Sequence, residues 1–264
     1  MTARSREEGQ RELLIEVPHR SEDVLHQHNV DYETVRFLEK SKALRERALN
    51  LDPHFLSWLT DLSPHGFATS LGEDSEEFTL LRKLFLDSCV SHRLSFHSTE
   101  YCDPPDLEVH EIIMLPITSE KSVGYHCARD RIGMQGVLPE IPVPMPGALK
   151  PFVDEDRNEV FLFHGSPWKN IEQIAREGFD MWRAGTKTGS SFGQGIYFAA
   201  NASKSDRYAD KDADGRMAMI LARVLLGSCL PKWRKCKHIR TLDYHDSIQA
   251  VPWENGGDVD YVEA

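Results

Sequence analysis

The residues with the most chemical potential lie in the C-terminal half: His164-Gly165, Tyr197, and Ser203-Lys204-Ser205 followed by Tyr208. Val160-Phe161-Leu162-Phe163 reads as a short buried strand running into His164-Gly165. Ser205 and Tyr208 are three apart in a predicted helix, so they share a face. A hydroxyl and an aromatic ring on one face suit a flat, amide-bearing ring. Tyr208 would stack on it and Ser205 would bond its amide. Gly165, with no side chain, lets backbone groups approach the same amide. Nicotinamide fits that description. Taken singly, each residue has a plainer structural role, a strand-ending His or a core Tyr, and spacing alone favours that role.

The elements around these residues alternate between short strands and short helices. Ser166-Pro167 reads as an N-cap with Pro at the first helical position. Ile171, Ile174 and Ala175 give that helix an apolar face, and Gly178 caps its end. Residues 180–191, with Gly185, Gly189 and several Ser and Thr, read as a flexible loop. Residues 192–199 are a glycine turn into a short strand. Ser203 and Asp206 fit a capping box. Residues 219–227 form a strand that is apolar on both faces. The Gly193-Gln194-Gly195 turn is not a dinucleotide fingerprint, because the third glycine would fall at Phe198 and a strand follows where a helix must begin.

Further upstream, residues 1–70 read mainly as helix, and residues 71–264 as a second domain. Leu80, Leu81, Leu84 and Phe85 suit one helix face. Residues 107–115 begin with strict alternation and read as a strand. Such mixing of short elements predicts an α+β fold and not a doubly wound sheet.

Composition narrows the function. Of 264 residues, 40% are hydrophobic and 28% charged, which is a globular profile. The formal net charge of −11 disfavours direct nucleic-acid binding and adhesion to anionic membranes. No apolar run approaches the ~18–20 residues of a membrane span, and the N-terminus has no secretory signal. Five scattered cysteines make a poor disulfide framework, pointing to reduced thiols and a cytosolic or nuclear location. Cys229, Cys236, His238 and His245 lie close in sequence but contain no CxxC pair, so no metal is expected. The basic cluster Lys232, Arg234, Lys235, Lys237 and Arg240 reads as a solvated loop.

Several motifs in order make the signal specific: Leu162-Phe163-His164-Gly165-Ser166, Arg176-Glu177-Gly178-Phe179-Asp180, residues 192–199 (FGQGIYFA), residues 203–208 (SKSDRY), Arg223-Val224-Leu225-Leu226-Gly227 and Asp246-Ser247. In these the chain resembles the catalytic domain of the poly(ADP-ribose) polymerases, the diphtheria-toxin-like ADP-ribosyltransferases. The resemblance implies two packed, mainly antiparallel sheets with short helices. It implies NAD as substrate and protein acceptors for ADP-ribose. His164 would bond the adenosine ribose, Gly165 and Ser205 the carboxamide, and Tyr208 would stack on nicotinamide with Tyr197 as another wall. Residues 180–191 would cover the NAD. The family's third signature position, often Glu, is matched by Asp260 before Tyr261-Val262, with Glu263 the competing candidate. The family continues beyond this point, so the chain is expected to be short at its C-terminus. Two functions follow: transfer of ADP-ribose to protein, as single units or polymer, or an inactive NAD- or ADP-ribose-binding scaffold. Oligomeric state is open.

Overall fold

A computed structural model describes residues 68–93, 101–102, 106–115, 119–136, 138, 149–184, 192–232, 242, 244–250 and 262–263. The helical segment expected over residues 1–70 lies outside them, apart from its last three residues. Strand β1 (Thr69–Ser70) is followed by helix α1 (Glu76–Asp87). Short strands β2 (His92–Arg93), β3 (Tyr101–Cys102) and β4 (Ile113–Met114) come next, then helix α2 (Ser119–Gly133). The second half holds β5 (Glu159–Gly165), α3 (Trp168–Glu177), α4 (Ala202–Ser205), β6 (Met219–Leu225), β7 (Cys229–Lys232), β8 (Ser247–Ala250) and β9 (Val262–Glu263).

The described strands pair as β1–β4, β2–β3, β5–β6 and β7–β8–β9. All pairings are antiparallel except β7–β8. Helices and these small sheets together are α+β, as expected. Helix α1 starts where Ser75 accepts the Phe78 N–H at 3.1 Å, and it buries Phe78, Leu81 and Leu84. The strand expected over residues 107–115 is ordered as a strand only at Ile113–Met114. Among the described residues its partner, β1, is two residues long, and one further bond, from the Leu71 N–H to the Ile112 carbonyl at 2.9 Å, extends the pairing.

The seven-residue β5–β6 pair is the largest of these sheets, running from Glu159↔Leu225 to Gly165↔Met219. Successive side chains alternate between its faces. One face carries Val160, Leu162 and Val224, which bury against Phe198, Ala200 and Leu226. Truncating Leu162, which is wholly buried, removes contacts typically worth about 2–5 kcal/mol. The opposite face carries Glu159, Phe161, Phe163 and Arg223.

That second face is held by charge. Glu159, 1% exposed, accepts a short hydrogen bond from the Tyr125 hydroxyl of α2 and a 2.6 Å bond from the Asp154 N–H. The Arg223 guanidinium lies 3.6 Å from Glu159 and 5.3 Å from the Tyr125 ring centre. Asp154 in turn pairs with Arg129 at 2.9 Å and with Arg157. Burial pushes the Glu159 carboxyl up from its ordinary range, and burial with the neighbouring Glu159 charge raises Tyr125. Helix α2 has no apolar stripe, so its docking was not legible in the sequence; among its described side chains only Ile132 is a buried hydrophobic. Replacing Tyr125 with Phe removes one donor to a buried carboxylate. The expected loss is about 1–3 kcal/mol of unfolding free energy, measured by urea denaturation.

Candidate active site

The site begins at the C-terminal end of β5. Phe163 exchanges two backbone hydrogen bonds with Ala199, both 2.8 Å, so residues 197–199 extend the sheet beyond β5. In an antiparallel strand, backbone groups point alternately to the two edges. Phe163 turns its N–H and C=O away from β6, and Gly165, two residues on, faces the same way. Helix α4 lies along that edge. The Ser205 hydroxyl donates to the Phe163 carbonyl at 3.1 Å. A Cβ on Gly165 would overlap the Ser205 carbonyl oxygen and come within 2.6 Å of its carbon. Only glycine permits this approach of strand and helix.

His164 points to the apolar face, its ring edge-on to Phe179 (5.1 Å between centres) and tilted against Phe198 (5.7 Å). Its Nδ1 is 2.8 Å from the Tyr197 carbonyl. A carbonyl only accepts, so Nδ1 carries the proton. Burial lowers the imidazole from its ordinary 6.5, while the Tyr197 bond opposes the shift. The ring is therefore neutral at pH 7, with Nε2 left as an acceptor. Such a nitrogen can receive a hydroxyl proton in a hydrogen bond.

Tyr197 has a second task. Its hydroxyl donates to the Gly193 carbonyl at 2.7 Å and accepts the Phe192 N–H at 3.1 Å. This closes the glycine turn, in which Gly193 has φ +97°, a left-handed conformation that favours glycine. Tyr208 sits on the 3-10 turn Asp206–Tyr208 that continues from α4, and 46% of it is exposed. In a 3-10 geometry residues three apart nearly eclipse, which aligns Tyr208 with Ser205.

Two expected caps differ. Helix α3 begins at Trp168, with Pro167 as the flanking residue and not Ser166. The Trp168 N–H is taken by the Asp210 carboxylate at 2.5 Å, and Ser166 instead accepts from the Asn170 side chain at 3.0 Å. A remote carboxylate thus replaces the local serine. Ser203 lies inside α4, where the flanking residue is Asn201, so no capping box forms with Asp206. Asp210 ties the turn after Tyr208 to the start of α3, a link between distant segments with no local sequence signal.

Gly165 thus abuts Ser205, His164 is bonded to the Tyr197 carbonyl on the apolar face, and Tyr208 follows Ser205 one turn later. Asp260 lies outside the described residues. Glu263 belongs to β9, opposite Ile248. Most of the loop 180–191 is likewise outside, as are Cys236, His238 and the basic cluster past Lys232. Asp246 and Ser247 shape the turn before β7. The Ser228 N–H donates to Asp246 at 3.0 Å, and the Ser247 hydroxyl donates to the Leu226 carbonyl at 2.7 Å. Cys89, Cys127 and Cys229 are free thiols. Among the described residues, no three potential metal ligands gather, and no helix is long and apolar enough to cross a membrane.

A glycine-ended strand thus lies against a serine-bearing helix that runs into the turn carrying Tyr208. Residues 146–247 match the family model of the poly(ADP-ribose) polymerase catalytic domain. Over 97 residues the chain is 34% identical to a poly [ADP-ribose] polymerase tankyrase of Caenorhabditis elegans, covering 36% of this chain and 4% of that protein. Over 66 residues it is 42% identical to the protein mono-ADP-ribosyltransferase PARP12 of Mus musculus, covering 25% and 9%. Over 72 residues it is 42% identical to the protein mono-ADP-ribosyltransferase PARP14 of Homo sapiens, covering 26% and 4%. Residues 146–247 are thus similar to a poly(ADP-ribose) polymerase catalytic domain, and such a domain implies the ADP-ribosyltransferase fold. The matches span under a tenth of the length of these relatives.

The buried imidazole sets a pH dependence. Above about pH 6.5 His164 is neutral both folded and unfolded, and its burial carries no charge cost. Below that, the unfolded chain takes up the proton first, so stability falls as pH drops towards the lower folded value. An NMR titration should place the His164 midpoint below 6.5, with Nδ1 protonated at neutral pH. A midpoint at or above 6.5 would contradict the burial of the ring, and a proton on Nε2 instead of Nδ1 at neutral pH would contradict the tautomer.

Proposed function

We propose that this chain transfers ADP-ribose from NAD to protein acceptors and releases nicotinamide. The observation that carries the proposal is the glycine end of β5. There the Gly165 N–H and C=O stand beside Ser205, within a segment matching the polymerase catalytic domain. The N–H suits the oxygen of a carboxamide and the C=O its amide hydrogen, a paired contact that selects nicotinamide's planar amide. Tyr208 supplies the ring to stack on it. His164 Nε2 accepts from a hydroxyl of the adenosine ribose, and Tyr197 walls the site.

The reaction breaks the bond between the nicotinamide nitrogen and the ribose carbon. The electron pair leaves with the nitrogen, nicotinamide departs neutral, and positive charge spreads over the ribose as in an oxocarbenium ion. Nicotinamide is a good leaving group. The protein's contribution is therefore to hold the leaving ring and the ribose so that the acceptor meets the exposed carbon. Asp260 is the carboxylate proposed to contact the nicotinamide ribose and orient an acceptor hydroxyl, with Glu263 competing for that role.

Benzamide, a nicotinamide mimic, should raise the melting temperature of the chain, and Tyr208→Ala should remove most of that rise. Transfer is measured as incorporation of labelled ADP-ribose from NAD into acceptor protein. Asp260→Asn should reduce incorporation by about tenfold or more while leaving benzamide binding intact. Binding without any incorporation would assign the chain to the scaffold class.

A further inference from the structure

Helix α4 has only four residues, far below the length at which a helix holds itself in water. Its position must come from its ends. At its C-terminal end Ser205 is bonded to Phe163. At its N-terminal end, the flanking Asn201 makes no side-chain cap. The Ala202 N–H donates instead to the Ser88 hydroxyl, at 3.1 Å, across 114 positions of sequence. Ser88 terminates α1, and its hydroxyl donates back to the Phe85 carbonyl at 2.7 Å. The bonding is reciprocal: the Ser203 hydroxyl accepts the Val90 N–H at 2.9 Å and donates to the Ser88 carbonyl at 3.4 Å. Ser88 and Ser203 are 9% and 2% exposed, and Ala202 is fully buried, so water does not substitute for these bonds. Beside the junction, the Phe85 ring meets Phe163 edge-on at 6.0 Å.

From this junction we infer that Ser88 and Ser203 are positioning residues for the nicotinamide side of the site. The end of α1 and the start of α4 cap each other, and α1 lies outside the segment that matches the catalytic-domain family. Neither serine touches the proposed ligand. Both set where Ser205 stands against Gly165, and with it the half-exposed Tyr208 ring, which has little burial of its own to fix it. His164 depends on other partners, Tyr197, Phe179 and Phe198. Loosening the junction therefore weakens the grip on nicotinamide and spares the adenosine side. The inference rests on the site proposed above.

The test measures benzamide and ADP-ribose affinities by calorimetry on the full chain, for the wild type, Ser88→Ala, Ser203→Ala and Ser203→Thr. Each alanine variant should weaken benzamide by about tenfold and leave ADP-ribose within about twofold, while Ser203→Thr, which keeps the hydroxyl, stays near wild type. Equal losses for both ligands, or no loss for either, overturn the inference while leaving the site intact. Absence of benzamide binding by the wild type overturns the site and the inference together. Ser88→Ala cuts the same junction from the other helix, so a folding failure of Ser203→Ala alone leaves the comparison in place.

Discussion

The carbonyl of Phe163 is the point on which the site depends. It accepts the Ala199 N–H at 2.8 Å and the Ser205 hydroxyl at 3.1 Å. One oxygen, with two lone pairs, therefore ties together the strand, the segment after the glycine turn and the short helix. Because backbone direction alternates along a strand, satisfying Phe163 on this edge turns Gly165 to the same edge. The residue between them, His164, faces β6 with its backbone and sends its side chain from the other face into the aromatic cluster of Phe179 and Phe198. The division of labour between adjacent residues follows from strand geometry alone.

The two faces of the β5–β6 pair are stabilised by different physics. The face with Val160, Leu162 and Val224 loses water without leaving polar groups behind, the ordinary source of folding free energy. The other face buries Glu159, Arg223 and Asp154, each costly to desolvate. Their mutual pairing, with Tyr125, Arg129 and Arg157, offsets that cost. The Asp154 carboxyl shows the balance. Burial alone would raise it, yet the two guanidiniums hold it below its ordinary range. Such a face accepts only a partner with matching charges in matching places, which suits a helix as polar as α2.

The site is held by contacts well separated in sequence and has little local stability. The four-residue helix, the 3-10 turn bearing Tyr208 and the glycine turn are too short to persist alone. Each is held by a bond to a distant residue: Ser88 to Ala202, Asp210 to Trp168, the Tyr197 carbonyl to His164. A neutral imidazole and the backbone of Gly165 are then presented on elements fixed from elsewhere in the chain.

By itself the sequence determined the elements and motifs whose signals are local. The apolar runs at residues 160–163 and 219–227 became β5 and β6, Gly178 ended α3, and the Gly193 turn led into a strand-like segment. These succeed because periodicity, glycine freedom and apolar content act over a few residues. The ordered motifs also led to the polymerase catalytic domain, which the family match bears out over residues 146–247. Only the tertiary structure decided what depends on distant partners. Ser166 and Ser203 carry local capping patterns, but Asp210 and Ser88 outcompete them from afar. Residues 107–115 alternate like a strand, yet the described pairing with β1 and Leu71 reaches back only to Ile112. Helix α2 has no apolar stripe to announce it, because buried charges dock it and their partners lie on β5, β6 and the turns before β5. Local sequence records what a segment prefers; which donor meets which acceptor is settled when the chain closes, because a buried hydrogen bond left unmade costs more than a local preference contributes.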